Sequence, residues 1–231
     1  MGLDTDASEY FELLKHDLFT LRIEWRMYRS FFGTNLETVE MLNDVSGSTA
    51  HTLERVLFER CLLGIRRMTD PSTGRNRSTE AVTIKGLSKR IDLADTELKK
   101  LVSDAERAAS FARNWSSKRI AHADLEYRLG GAKLETASRA KVETAIDGIA
   151  AVIKWVSLEY LDVHQVTHVL PPLDDERAFL KAIFFGQREL RRLEALRKTL
   201  LADEKYAELD SVRKETANYP DWLQRNDPPT D

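Results

Sequence analysis

The chain carries a single cysteine, Cys61, in 231 residues, which excludes an internal disulfide framework and any cysteine-rich metal site. That scarcity points to a reducing, cytoplasmic setting. Long apolar runs are missing as well. The most apolar segments, RCLLGIRR and GIAAVIKWVSLEYL, are short or broken by charge and fall well below the ~20 residues of a membrane span. The amino-terminal MGLDTDASEYFELLKHD has neither the basic stretch nor the apolar stretch of a secretory signal, and Asp6 stands where a myristoylation signal wants Ser or Thr. The ten glycines are scattered, none in a strand-turn-helix context, so no phosphate-cradling loop or dinucleotide fingerprint is expected. No alternating apolar run bounded by turns argues for a sheet, and no fixed-period repeat argues for a solenoid. Positive charge is not in excess either: 35 basic against 38 acidic residues give a formal net charge of −3. Any contact with nucleic acid therefore needs a local basic patch, because local cations replace the counterions condensed on a phosphate backbone.

What is abundant is helical periodicity. Phe11, Leu14, Leu18, Leu21 and Trp25 recur at three- and four-residue steps and predict a long first helix from near Ser8 to near Gly33. A second helical run from Asn35 is interrupted by Ser46-Gly47-Ser48. It continues with Leu53, Val56, Leu57, Cys61 and Ile65 on an expected core-facing side, up to the polar loop Asp70 to Thr79. A short helix is expected around Ile84 to Ile91, another from Asp95 to Lys118, a turn at Leu129 to Gly131, and a further helix from Ala137 to Leu161. Pro171-Pro172 breaks the pattern. An amphipathic, highly charged helix follows, carrying Phe179, Ile183, Leu190, Leu193, Leu196 and Leu200, before the tail NDPPTD, which is expected to be disordered. The expected fold is all-α: an antiparallel helical bundle over residues 1–170, with an additional C-terminal amphipathic helix and a disordered tail over 171–231. That last helix is expected to pack on its own bundle, docking on a second copy being the alternative.

Most chemistry-bearing residues read as structural. His164 and His168 are four apart but HQVTH lacks the glutamate of a zinc-protease helix; His16 and His51 stand alone on helical runs; Cys61 lies on an apolar stripe and reads as a core thiol. No metal and no cofactor is expected. The exception is RNWSSKRIAHAD, Arg113 to Asp124, which concentrates cations, a histidine and a carboxylate within a dozen residues. At ~100° per residue, Lys118 and Arg119 share a helix face with His122, whereas Arg113 points to the opposite side. An imidazole can move a proton near neutral pH and a guanidinium can stabilise charge on a phosphate oxygen, which is what metal-free cleavage of RNA through its own 2′-hydroxyl requires. Asp124 would orient the imidazole. The competing reading is a helix C-terminus that attracts cations, with Asp124 opening the next turn, and local chemistry alone favours it.

KRIAHAD resembles the K-x-[hydrophobic]-A-H-x-D stretch of the abortive-infection branch of the HEPN superfamily, and RRMTDP followed by GRNRST is similar to that branch's helix closing on an Arg-x-x-Asp element before a polar loop. The resemblance covers roughly Phe31 to Tyr160. It implies a helical bundle that dimerises and brings two Arg/His motifs together as a metal-independent ribonuclease centre, in a toxin or antiphage defence protein. His122 matches the motif histidine, with Lys118, Asn114 and Asp124 as accompanying binding residues. The family's arginine lies four to six intervening residues before its histidine, where this chain has Ser117, Ser116 and Trp115. Three alternatives follow: Arg113 reaches the site through an irregular turn, Arg119 substitutes for it, or the centre is degenerate and only binds RNA. The contrasting expectation is a non-enzymatic helical interaction module, an antitoxin-like partner of a defence-system protein.

Overall fold

A computed structural model describes residues 2–73, 79–91, 95–120 and 125–217. Among these, every regular element is a helix: α1 (Thr5–Tyr28), α2 (Leu36–Thr69), α3 (Ile84–Ile91), α4 (Thr96–Ala108), α5 (Ser110–Trp115), α6 (Leu125–Arg128), α7 (Arg139–Leu161), α8 (Glu176–Ala202) and α9 (Tyr206–Ala217). Two five-residue π-helical turns, Arg29–Gly33 and Ser116–Ile120, extend α1 and α5. The chain divides into two compact units, Met1–Glu176 and Arg177–Asp231.

In the first unit, long helices pack around one core in a bundle. The α1 stripe Phe11, Leu14, Leu18, Leu21 and Trp25 is buried as its spacing predicts, against Cys61, Leu62, Ile65 and Met68 of α2 and Val142 to Val156 of α7. The most extensive contacts run between α4 and α7 and between α1 and α2. Gly148 sits mid-helix in α7, where it costs roughly 1 kcal/mol of helix propensity relative to alanine. A Cβ there would lie 3.1 Å from the Ala105 Cα of α4, so the missing side chain lets the two backbones approach. Side-chain caps start the helices: Asp4 for α1, Asn35 for α2, Asp95 for α4 and Ser138 for α7 each accept a backbone N–H.

The expected interruption at Ser46 to Ser48 is a kink, not a break. Ser46 has φ −164° and ψ 94° inside an otherwise helical α2, and the helix resumes through Gly47. Two expectations are corrected. Leu53 and Val56 do not face the core: they are 38% and 51% exposed, and the buried residues of that half of α2 begin at Cys61. The expected helix from Asp95 to Lys118 is three pieces, since Ala109 leaves helical geometry (φ −87°, ψ 0°) and the ladder widens to a π turn at Ser116. His164 and His168 lie in an irregular segment between α7 and α8, so they do not share a helix face. In the second unit α8 is the expected charged helix, and α9 is a further helix beyond it, separated by Glu204 with φ 56°. The tail NDPPTD lies outside the described residues.

Candidate functional site

The segment Arg113 to Ile120 is anchored from both ends of its cations, and the anchors differ. Arg113 Nε donates to Asp70 Oδ1 (3.2 Å), its Nη2 donates to the Thr69 carbonyl (2.9 Å), and it pairs with Glu106 at 3.6 Å. The same Asp70 accepts from Arg66 Nε at 3.0 Å, and Arg66 Nη1 donates to the Ser116 hydroxyl at 2.6 Å. The Arg66/Asp70 end of α2 is therefore a clamp that holds α5 and the start of the π turn. Asn114 and Trp115 clip a second partner: Asn114 Oδ1 accepts from Glu135 N (3.0 Å) and Trp115 Nε1 donates to Glu135 O (2.7 Å), fixing the extended segment before α7. Lys118 Nζ donates to the Lys133 carbonyl of that segment at 3.2 Å.

Arg119 faces elsewhere. Its Nε donates to Glu59 of α2 at 3.1 Å, its Nη1 donates to the Tyr127 hydroxyl of α6 at 3.4 Å, and its guanidinium lies 5.5 Å from the centre of the Trp115 ring. The Tyr127 hydrogen bond first, and then Glu59, hold its pKa above the ordinary arginine value, so it is a permanent cation. Among the described residues, Arg113 and Arg119 share no partner. The expected angular arrangement rested on α-helical geometry, and the π turn Ser116–Ile120, with its i→i+5 ladder, replaces that geometry. His122 and Asp124, and the loop residues Gly74 to Ser78, lie outside the described residues.

Arg119 stands at the junction of two clefts. One, of about 350 Å³, is lined by Tyr28, His51, Glu54, Arg55, Phe58, Glu59, Trp115, Arg119, Ala137 and Arg139. The other, of about 410 Å³, is lined by Arg55, Glu59, Lys118, Arg119, Ile120, Tyr127 and Arg128. Arg55, Glu59 and Arg119 belong to both. Together the walls carry five cations, Arg55, Lys118, Arg119, Arg128 and Arg139, against two carboxylates, Glu54 and Glu59, in a chain whose net charge is −3. This is the local basic patch that the composition demands of any nucleic-acid contact. Arg55 and Arg128 make no hydrogen bond or ion pair among the described residues. Tyr28, Phe58 and Trp115 form a rail of half-buried rings, with Tyr28 and Phe58 5.3 Å apart and Phe58 and Trp115 5.6 Å apart edge to face. Burial, reinforced by Glu54, raises the Tyr28 pKa and keeps its phenol neutral.

Sequence reasoning located Arg119 and Lys118 in this place but missed Arg55, Arg128, Arg139 and His51, which come from α2, α6 and α7. His51 and Arg55 share a face of α2 by their four-residue spacing, but only packing brings that face to Arg128, Arg139 and Arg119. Among the described residues no group of three or more His, Cys, Asp or Glu could hold a metal ion, and no helix is long and apolar enough to cross a membrane.

The class of the protein, an abortive-infection-type HEPN domain of the defence-related kind, is shown by a family match and agrees with the all-α bundle. The family model described as HEPN_AbiU2, AbiU2, matches residues 4–179, and the chain belongs to that family. No curated protein and no solved structure matches the chain significantly.

Proposed function

We propose that the protein acts on RNA, as a metal-independent endoribonuclease of the abortive-infection type, with Arg119 rather than Arg113 as the cation beside His122. The observation that carries this reading is where the two arginines sit: Arg113 is held by Asp70, Thr69 and Glu106 at the end of α2, while Arg119, though paired with Glu59, lines a double cleft with three further arginines and a lysine. In the reaction, the His122 imidazole takes the proton of a ribose 2′-hydroxyl, and that oxygen attacks the adjacent phosphorus. The 5′-oxygen then leaves with a proton returned by an imidazolium, and Arg119 stabilises the added charge on the phosphorane. The products are a 2′,3′-cyclic phosphate and a 5′-hydroxyl. The active species is a cytoplasmic homodimer in which two Arg113 to Asp124 segments face one groove, as the family suggests.

The test is cleavage of RNA in EDTA by wild type, His122→Ala, Arg119→Ala and Arg113→Lys. Loss of cleavage in the first two variants and its retention in Arg113→Lys supports the reading; equal cleavage by wild type and His122→Ala refutes it. A second reading, a non-enzymatic partner of another defence protein, is favoured by the apolar residues that α8 exposes, Phe184 at 51%, Phe185 at 53% and Leu190 at 56%. It predicts no cleavage by any variant, and loss of growth arrest or of its suppression on Phe184→Ser/Phe185→Ser.

A further inference from the structure

We infer that the aromatic cleft formed by Tyr28, Phe58 and Trp115 is a base-binding subsite, in which an unpaired nucleobase of single-stranded RNA stacks while its flanking phosphates lie on Arg55, Arg119 and Arg139. This rests on the RNA reading above and names the part of the RNA that the same site holds.

Three observations carry it. The rings rest against the core and are also presented: all three are half-buried and line a cleft of about 350 Å³, within the ~300–1,000 Å³ of ligand pockets. They are also held in place before any ligand arrives. Tyr28 stacks on the buried Trp25 with ring centres 5.1 Å apart and planes 12° apart, and the Trp115 indole N–H is fixed on the Glu135 carbonyl. With the polar edge of the indole satisfied, what Trp115 contributes to the cleft is ring surface.

The second observation is the chemistry of the rim. The rail is bordered by Arg55, Arg119 and Arg139 against Glu54 and Glu59, so the rim carries one more cation than acid, and Glu59 already pairs with Arg119. Arg55 has no partner among the described residues, and Arg119 already lies over an aromatic ring, the position from which a guanidinium meets both a stacked base and its phosphate. Rings flanked by arginines are how proteins hold single strands, since every base has a π face and every nucleotide a charge.

The third observation selects a strand over a free nucleotide. The second cleft continues from the first through Arg55, Glu59 and Arg119 and adds Lys118 and Arg128, so cations extend past one base's worth of surface. A neighbouring nucleotide's phosphate has a place to go, beside Lys118 and Arg128.

The experiment measures binding of the full chain to a fluorescently labelled single-stranded RNA oligonucleotide and to the same backbone with every base removed. Wild type, Trp115→Leu and Phe58→Leu are compared; leucine keeps the apolar volume and removes the π face, and Phe58 is independent of the Glu135 clip if Trp115→Leu folds poorly. The expected result is that wild type binds the base-bearing RNA roughly five- to a hundredfold more tightly than the abasic one, and that both variants bring that ratio close to one by weakening only the base-bearing complex. Equal binding of the two RNAs by wild type overturns the subsite and leaves the RNA reading standing. Absence of binding to either RNA overturns the RNA reading and the subsite with it. A ratio unchanged in both variants places base recognition elsewhere and overturns the inference. Saturation by adenosine monophosphate at the concentration at which the oligonucleotide binds assigns the cleft to a free nucleotide and also overturns it. So does concentration-dependent protection of Trp115 from acrylamide quenching that RNA does not compete, which assigns the cleft to a second copy of the chain.

Discussion

Replacing Arg113 by alanine isolates the claim that this arginine is structural. The substitution removes an ion pair and hydrogen bond to Asp70, a hydrogen bond to the Thr69 carbonyl and a longer pair with Glu106, around a side chain that is 33% exposed. Hydrogen bonds to a charged group contribute about 1.5–3 kcal/mol each when sheltered, and exposed ion pairs about 0–1. One sheltered bond to the Thr69 carbonyl and one partly screened pair to Asp70 sum to about 1.5–4 kcal/mol. Asp70 itself keeps Arg66, so no carboxylate is left bare and the loss does not escalate further. Arg119→Ala removes a pair with Glu59, a long hydrogen bond to Tyr127 and a contact over the Trp115 ring from a side chain that is 37% exposed, and should cost about 0.5–2 kcal/mol. Urea unfolding followed by circular dichroism and tryptophan fluorescence measures both, with the difference in midpoint at constant slope giving the energy. The order of stability cost, Arg113→Ala above Arg119→Ala, should be the reverse of their order of effect on RNA. A loss for Arg113→Ala within about 0.5 kcal/mol of zero, or one smaller than that of Arg119→Ala, refutes the assignment.

Three further outcomes follow from the packing. Gly86→Ala places a Cβ 2.7 Å from Tyr10 Cζ and against its hydroxyl, which donates to Ala81 O and accepts from Thr83 N at 2.8 Å each; displacing that ring should cost about 2–4 kcal/mol in a urea melt, whereas Gly2→Ala, with open space around it, should cost nothing. Burial pushes the Cys61 thiol up to about 12, so its alkylation by iodoacetamide at pH 8 should proceed only as fast as the protein opens, and rapid labelling of the folded chain would contradict the core placement. Asp95 accepts from Leu98 N, Trp155 Nε1 and Tyr160 OH, and the Leu98 hydrogen bond first holds its carboxyl below the usual range. A depressed folded-state pKa gives stability that is complete above the unfolded value of about 3.9 and is lost as pH falls through the folded value. Asp95→Asn should therefore flatten the loss of stability below pH 4 while costing less than about 1 kcal/mol at pH 7, since asparagine also caps; an unchanged acid limb would contradict the pairing.

The sequence made the helices legible because their faces repeat: the α1 stripe from Phe11 to Trp25 is buried residue for residue, and α3 covers Ile84 to Ile91 as its pattern predicts. The same periodicity misplaced Leu53 and Val56, since a helical stripe states which residues share a face and not whether another helix covers it. It also missed the π turn at Ser116, whose first residue accepts a hydrogen bond from Arg66 across 50 residues, and α9, whose apolar pattern is weak. Arg119 and Lys118 were legible as site residues because they adjoin the family motif. Helical spacing already set Arg113 on another face, but its partners Asp70, 43 residues away, and Thr69 were not legible. Arg55, Arg128, Arg139 and His51 reach the cleft from three separate helices, so no local window contains the basic patch they help to build.

The central claim is that the cleft around Arg119 meets the RNA backbone, and salt dependence tests it most directly. Each phosphate neutralised on a single strand contributes about −0.7 to the slope of log K against log salt. Measured on one RNA oligonucleotide, Arg55→Ala, Arg119→Ala and Arg128→Ala should each make that slope shallower by about 0.7, while Arg113→Lys leaves it unchanged. Slopes identical to wild type in the three alanine variants, or a shallower slope in Arg113→Lys alone, would contradict the account.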